Sequence, residues 1–261
     1  MVSLLYHYLI FEFYIKCCII DTIILNEFQE NKRNDIIMEQ FKYETHLHTY
    51  EASACAKLSA KEQVRRYKDA GYAGIIVTDH FFNGNTNVPS RLPWEKRINL
   101  LAKGYENAKE EGDRIGLSVF FGWEAGFNGT EFLIYGLDKQ WLLDHPDIMT
   151  WSVRQQYKKV KEAGGMVIHA HPFRERFYIK EIRLFPDDVD GVEVINIGND
   201  NKTFDDRAEE YARKHNLLMS AGTDSHGIEI RRSGVIFDHK LKDINDFIDS
   251  MKANKQQLIR P

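Results

Sequence analysis

The chain of 261 residues is long enough for one large domain or two small ones, with ample material for a core. Hydrophobic residues make up 43% and charged residues 28% of it, which excludes collagen-like, disordered and low-complexity proteins. The 35 Lys and Arg residues against 39 Asp and Glu residues give a formal net charge of −4, so we expect no extended nucleic acid as a partner.

The N-terminal stretch, residues 1–37, begins with a run that is more apolar and aromatic than any later part of the chain. Glu12, Lys16 and Asp21 interrupt every window long enough to span a membrane, so we expect no membrane span. An interfacial helix, an extra element packed on the domain and a dispensable extension all remain open for this stretch. We predict that residues 38–261 form the working domain.

From residue 41 onward, short β-rich runs alternate with amphipathic segments of helical length. We predict strands at residues 41–49, 73–77, 117–122, 132–137, 166–168, 192–195, 217–221 and 234–237. We predict helices at residues 59–70, 94–111, 151–163, 205–215 and 244–253. Strands interleaved with helices predict an α/β protein with a parallel sheet, and about seven strands in this length favour a closed or nearly closed barrel.

Two of the predicted strands end in a pair of histidines with one residue between them. His46 and His48 close the first strand, and His169 and His171 follow the fifth. Side chains two apart on a strand point to the same face, so we expect the two imidazoles of each pair to converge. That arrangement suits a first-row metal ion.

Three further predicted strand ends carry residues of the same kind. Asp79 and His80 follow the second strand, Glu124 follows the third, and Asp224 and His226 follow the seventh. In a parallel α/β barrel the C-terminal strand ends form one face, where active sites are built, so we predict a metal centre there. Imidazole and carboxylate ligands without a Cys quartet fit Zn²⁺, Mn²⁺ or Fe²⁺, and so many ligands predict a cluster of two or three ions.

A resemblance to the PHP (polymerase and histidinol phosphatase) superfamily covers nearly everything from Met38 to the C-terminus. It rests on the ordered series His46-x-His48, Thr78-Asp79-His80, Glu124, His171-Pro172 and Asp224-x-His226. The surrounding segments look closest to small stand-alone bacterial members similar to histidinol phosphatase. The resemblance implies a distorted (β/α)7 TIM-like barrel with two or three metal ions at its C-terminal mouth.

The resemblance also implies how the ligands are shared among the ions. The implied sets are His46, His48, Glu124 and Asp224 for the first ion, Glu124 and His171 for the second, and His80 and His226 for the third. Trinuclear members often carry two more histidines, where this chain has Ser53-Ala54-Cys55 and Phe132-Leu133-Ile134-Tyr135. Two ions rather than three therefore remain open, with Cys55 either a substitute ligand or a small buried hydrophobe.

Three polar residues near these ligands have supporting roles in this interpretation. We expect Asp79 to orient His80 rather than to bind metal. We expect His169 to lie beside the ligands without binding metal itself. Glu193, at the end of the sixth predicted strand, either orients a ligand histidine through a hydrogen bond or pairs with a helix or loop.

The expected activity is hydrolysis of a phosphate ester, most favourably a small phosphomonoester, by metal-bound hydroxide and without a protein nucleophile. Arg174 is the first choice for the phosphate-binding group because a guanidinium fork matches phosphate oxygens, and Arg231 and Arg232 are second choices. A phosphodiesterase or nuclease acting on nucleotides or short oligonucleotides, and a degenerate metal-binding domain without turnover, remain open. Three Cys residues are too few for a disulfide framework, which favours the cytoplasm.

Overall fold

Strands and helices alternate through most of residues 39–227 and 232–261, the part of the chain that the computed structural model describes. The strands within these residues are β1 (Phe41–Leu47), β2 (Gly74–Val77), β3 (Ser118–Phe127), β4 (Thr130–Tyr135), β5 (Met166–Ala170), β6 (Gly191–Asn196), β7 (Leu218–Gly222), β8 (Gly234–Phe237) and β9 (Gln257–Ile259). The α-helices are α1 (Ala60–Asp69), α2 (Trp94–Ile115), α3 (Lys139–Leu143), α4 (Val153–Glu162), α5 (Lys202–His215) and α6 (Ile244–Lys252). The predictions made for residues 1–37 lie outside the described residues.

Local sequence signals explain where the helices begin and end. The Ser59 hydroxyl accepts a hydrogen bond from the Glu62 backbone, and the Glu62 carboxylate accepts one from the Ser59 N–H at 2.9 Å, so the predicted capping box at the start of α1 is confirmed. Gly116 ends α2 with a left-handed φ of 76°, a conformation that glycine adopts at little cost. Helix α2 runs four residues beyond its predicted end at Glu111.

The strands form one sheet in the order β7-β6-β5-β4-β3-β2-β1-β8-β9. β1, β2 and β3 are parallel, as are β5, β6 and β7, whereas β4 is antiparallel to both of its neighbours. The sheet curls so that its edge strand β7 approaches β1. Leu47 forms an isolated bridge with Ser225, and the Thr45 hydroxyl donates to the Ala221 carbonyl at 2.7 Å. The fold is therefore mixed α/β with a nearly closed, barrel-shaped sheet, and not the all-parallel sheet that the alternation predicts.

A tight hairpin is the reason for the antiparallel strand. Asn128 and Gly129 connect β3 to β4 with left-handed φ values of 52° and 87°, the conformation of a two-residue hairpin turn. β3 consequently continues through Phe127, and Glu124 lies inside this strand, paired with Leu133 of β4. The prediction that a strand ends just before Glu124 is wrong, since the chain there runs on into the hairpin instead of leaving the sheet.

Large buried side chains fill the barrel below the strand ends. One cluster includes Tyr43, Leu133, Tyr135 and Phe237, each no more than 1% exposed. Burying such a side chain contributes about 1.5–3 kcal/mol, which makes the barrel a rigid support. The Tyr135 hydroxyl also donates to the Thr45 carbonyl at 2.8 Å, so β4 is tied across the interior to β1.

The helices of residues 39–227 and 232–261 are short or polar compared with membrane-spanning helices. None of them combines the length and the apolar character that a bilayer span requires.

Candidate metal centre

Two histidines at the end of β1, His46 inside the strand and His48 just after it, lie at the centre of a buried polar cluster. His46 and His48 are both fully buried, and their Nε2 atoms lie 3.1 Å apart. The expected convergence of the two imidazoles is thus present in the structure. Two ring nitrogens at this distance repel each other if both present lone pairs, so a proton or a cation must lie near them.

Two carboxylates close around this pair. The Oδ1 atom of Asp224 lies 3.1 Å from Nε2 of His48, and the Oε1 atom of Glu124 lies 3.3 Å from Nε2 of His46. The other Glu124 oxygen lies 3.5 Å from Nε2 of His48. Ligand atoms about 2.0–2.1 Å from a tetrahedral metal ion lie roughly 3.3 Å from one another. The donor spacing of the cluster therefore fits divalent metal ions.

The third side of the cluster is formed by His171, just beyond β5. Its Nε2 atom lies 3.2 Å from Oε1 of Glu124. The backbone of His171 has a φ of 27°, which interrupts the alternation of side chains along the strand. His169 therefore faces away from His171 and stacks on Phe132 at 4.9 Å, and the prediction that these two histidines share a face is wrong. His169 is buried and neither ring nitrogen has a hydrogen-bond partner among the described residues.

The remaining two predicted ligands, His80 and His226, both stack on His48 and lie 5.9 Å from each other, ring centre to ring centre. The rings of His80 and His226 each lie 4.3 Å from the His48 ring, centre to centre. Nδ1 of His80 lies 2.8 Å from Oε2 of Glu124, yet neither atom has a hydrogen bond with adequate geometry. These two buried atoms direct lone pairs toward each other, which is the arrangement expected of two ligands of one cation.

The cluster contains one acidic residue that the sequence interpretation missed. Glu131 is the second residue of β4, pairs in register with Ala170 of β5, and places Oε2 at 3.5 Å from Nε2 of His171. The resemblance directed attention to residues 132–135, one position too late. The Asn-Gly turn before β4 is a strong hairpin signal, and recognising it would have brought this carboxylate to the site.

All of these donors fall into overlapping groups of three, whose ligand atoms lie within 4.8 Å of one another. The groups among the described residues are His48, His80 and His226; His46, His48 and Asp224; His46, Glu124 and His171; and His80, Glu124 and Glu131. The seven predicted ligands are thus brought together, with Glu131 as an eighth donor residue. Such a set exceeds what one ion needs.

Strong mutual electrostatic effects run through the cluster. Burial disfavours the charged ring of His46, but the carboxylates of Glu193, Asp224 and Glu124 together raise its pKa well above the usual value. Burial also disfavours the ionised forms of Glu124 and Asp224, but the neighbouring charges, His46 foremost, hold both pKa values well below the usual range. Burial lowers the pKa of His48, and His226 and His80 lower it further. Divalent metals need carboxylates and neutral imidazoles, so the pKa shifts of Glu124, Asp224 and His48 favour metal binding, whereas His46 must release a proton to bind.

Two buried glutamates support the first histidine. Oε1 of Glu193, inside β6, lies 3.0 Å from Nδ1 of His46, and the same carboxylate accepts from the His171 N–H at 3.1 Å. Glu44, which the sequence interpretation did not single out, accepts from the His46 N–H at 2.9 Å and from the Thr223 N–H at 3.0 Å. Glu44 therefore joins the ligand-bearing ends of β1 and β7, where the sheet has no continuous ladder.

Asp79 contacts the loop after β1 and not the ring of His80. Its carboxylate accepts from the Thr49 hydroxyl at 2.6 Å and from the Ser53 hydroxyl at 2.7 Å. Ser53 in turn accepts from the His80 N–H at 3.0 Å and lies 3.3 Å from Nδ1 of His48. Asp79 thus acts on the two histidines through Ser53, and burial raises the pKa of Asp79 to about 6.

Arg174 is buried and donates hydrogen bonds to three polar side chains. Its Nη1 donates to Asp224 at 2.7 Å, its Nη2 donates to Asn196 at 2.6 Å, and its Nε donates to Asn199 at 2.9 Å. A guanidinium has five N–H groups, so two remain available to a ligand. Of the second choices, Arg232 is exposed and Arg231 lies outside the described residues.

An open cavity of about 390 Å³ lies over the cluster. Its walls are formed by Cys55, His80, Asn85, Glu124, Glu131, His171, Arg174, Tyr178, Asp224 and His226. Burial raises the pKa of the Cys55 thiol, but hydrogen bonding to His226 and His80 outweighs burial and brings it down to about 7. The cavity gives a small molecule access to the metal-capable donors and to Arg174.

Comparison with known proteins finds relatives by structure and not by sequence. No protein-family model matches the chain, and no curated protein matches it significantly in sequence. A two-domain protein from Bacteroides vulgatus, which contains a predicted PHP-like metal-dependent phosphoesterase, superimposes with a TM-score of 0.60 at 13% identity, over 85% of this chain and 65% of that one. PsfC from Pseudomonas syringae gives 0.58 at 15% identity, over 85% and 92% of the two chains.

A third solved structure extends the comparison to another kind of hydrolase. An amidohydrolase from Chromobacterium violaceum, solved with bound sulfate and no metal, gives a TM-score of 0.52 at 16% identity, over 84% of this chain and 98% of that one. The chain shares the fold of these proteins. It spans only 65% of the length of the Bacteroides protein, so the likeness carries the barrel and not the activity of that whole chain.

Proposed function

We propose that the protein belongs to the PHP superfamily and is a metal-dependent hydrolase of phosphate esters, with a small phosphomonoester as its substrate. The observation that carries the proposal is Glu124, whose two oxygens lie within 3.5 Å of nitrogens from His46, His48, His80 and His171 beneath an open cavity. A carboxylate surrounded by four imidazoles would hold divalent cations through both of its oxygens. The likeness to a predicted PHP-like phosphoesterase supports the same assignment.

In this proposal seven residues hold two or three divalent ions, of Zn²⁺, Mn²⁺ or Fe²⁺. They are His46, His48, His80, Glu124, His171, Asp224 and His226. Ions bound there would supply Lewis acidity and lower the pKa of a bound water toward neutrality. The donor set consists of imidazoles and carboxylates, which matches these ions.

The remaining residues of the cavity bind and orient the substrate. Arg174 presents its two remaining N–H groups to the phosphoryl oxygens and neutralises charge that develops during cleavage. Its other N–H groups stay bonded to Asp224, Asn196 and Asn199, which fixes the direction of the guanidinium fork. The proposal needs no side-chain nucleophile. It assigns the activity to residues 38–261 and, from the Cys content, to the cytoplasm.

The test is a comparative hydrolysis assay on protein stripped with a chelator and reloaded with Mn²⁺, Zn²⁺ or Fe²⁺. Substrates are 4-nitrophenyl phosphate, bis(4-nitrophenyl) phosphate, a short 5′-phosphorylated oligonucleotide and an N-acyl amide. We expect the monoester to be cleaved fastest and the Asp224→Asn variant to be inactive. Preference for the diester or oligonucleotide would favour a nuclease, and cleavage of the amide alone would replace the phosphoesterase assignment. No turnover with any metal would mean a degenerate metal-binding domain.

A further inference from the structure

Glu131 is a carboxylate without an ordinary partner. Its side chain is only 16% exposed, and it makes no hydrogen bond and no ion pair with Lys or Arg among the described residues. The nearest ionisable neighbours are His171, at 3.5 Å, and the carboxylate of Glu124, which repels it. Ligand atoms of Glu131, Glu124 and His80 lie within 4.8 Å of one another, a spacing that fits a shared cation.

The hairpin holds this carboxylate in place. Arg183 donates to the Thr130 hydroxyl at 2.9 Å and also to the backbone carbonyls of Phe127 and Asn128, on both sides of the turn. Glu131 itself pairs with Gly126 across the hairpin and with Ala170 on the other side. The position of the carboxylate is therefore fixed by the sheet and by a clamp, as expected of a built ligand and not of a surface acid.

The donor groups differ in chemistry from one side of the cluster to the other. His48, His80 and His226 offer imidazoles alone, whereas the group of His80, Glu124 and Glu131 offers two carboxylates and one imidazole. Carboxylate oxygens suit harder ions such as Mn²⁺ and Mg²⁺, and imidazole suits Zn²⁺. The two groups of donors therefore favour different divalent ions.

We propose that Glu131 is a metal ligand that, together with Glu124, makes one position of the centre rich in carboxylate and so shifts it toward a hard divalent ion such as Mn²⁺. This inference rests on the proposed metal centre and adds a ligand and an ion preference to it. Glu131 then supplies a donor on β4, next to the residues 132–135 where trinuclear members often carry a histidine.

The experiment measures metal binding alone, by calorimetric titration of metal-free protein with MnCl₂ and, separately, ZnCl₂. Glu131→Gln keeps the size of the side chain and removes its charge, so we expect Mn²⁺ affinity at one position to fall by at least about tenfold. Glu131→His supplies an imidazole, and we expect it to recover Zn²⁺ binding but not Mn²⁺ binding. Glu181→Gln, an exposed change of the same kind on a neighbouring loop, is the matched control and should bind both ions like the wild type.

Binding curves of Glu131→Gln that coincide with those of the wild type would overturn the inference. An unchanged ratio of Zn²⁺ to Mn²⁺ affinity in Glu131→His would overturn it as well. These outcomes are separate from the hydrolysis assay: a wild-type protein that binds both ions in this way and cleaves no ester would contradict the proposed function and leave the role of Glu131 standing.

Discussion

Nδ1 of His46 lies 3.0 Å from Oε1 of Glu193, and both side chains are completely buried. The first residue comes from β1 and the second from β6, two strands that are not neighbours in the sheet. A carboxylate at Nδ1 fixes the ring so that Nε2 points into the cluster, and it increases the basicity of that nitrogen. The metal-facing geometry of β1 therefore depends on a residue 147 positions away in the chain.

Replacement of Glu193 by Gln should weaken metal binding by about 10- to 100-fold, because the orienting carboxylate of His46 becomes a neutral amide. Calorimetric titration of the metal-free protein measures the loss. Asp205→Asn is the control, since Asp205 bonds to the Asn196 N–H and to Asn199 and belongs to none of the metal-capable groups among the described residues. Equal affinities in Glu193→Gln and wild type would show that this carboxylate has no effect on the centre.

Replacement of Arg174 by Met should destabilise the metal-free protein by about 3–5 kcal/mol, because the buried Asp224 loses the guanidinium that it contacts at 2.7 Å and keeps only histidines as cationic neighbours. Metal ions supply countercharge to Asp224, so the loss should be smaller in the metal-loaded protein. Urea unfolding in both states measures the difference. The pair of partly exposed Arg176 and exposed Asp200 provides the control, and Arg176→Met should cost no more than about 1 kcal/mol in either state.

Gly104, inside α2, is a site where alanine should harm the protein. Alanine normally stabilises a helix interior by about 1 kcal/mol relative to glycine. Here an added Cβ would overlap the Thr49 hydroxyl and the Asp79 carboxylate, which organise the loop beside His48. We expect Gly104→Ala to lower the free energy of unfolding by about 1–3 kcal/mol and to reduce hydrolysis, while Lys103→Ala on the exposed face leaves both unchanged. A stabilised Gly104→Ala variant would contradict this packing.

Away from the centre, Glu111 should give the protein a pH-dependent contribution to stability. Hydrogen bonds from Arg114 and Arg65 lower its pKa from 4.5 to about 2. Because the folded pKa is lower than the unfolded one, the contribution is complete above pH 4.5 and is lost as the pH falls toward 2. The melting temperature of Glu111→Gln should thus lie below that of the wild type at pH 7, with a smaller gap at pH 3. A gap that grows on acidification would be inconsistent with the two arginine contacts.

The sequence predicted the parts of the site that depend on short-range patterns. The pair His46-x-His48 converges because strand side chains alternate, and the capping box at Ser59 starts α1 where its residues indicated. Most strand positions followed from apolar runs between turn residues. The ordered set of metal-capable residues also led to the barrel, and solved structures share that fold at 13–16% identity.

The remaining features depend on backbone turns and long-range contacts. His169 lies outside the cluster because of the left-handed backbone at His171, and no residue pattern predicts such a conformation at a histidine. Glu131 enters the cluster because a hairpin replaces a predicted strand end. Glu44 gains its role only where β1 meets β7, through contact with a backbone 179 residues distant. Pairings of this kind cannot be inferred from the spacing of residues in one sequence.

The most direct test of the metal centre is elemental analysis of the wild-type protein and of Asp224→Ala after equilibration with Mn²⁺ or Zn²⁺ and removal of free metal. The wild type should retain about two to three equivalents per chain, and Asp224→Ala should retain at least about one fewer with its fold intact by circular dichroism. A folded wild-type protein that retains no divalent metal would contradict the account.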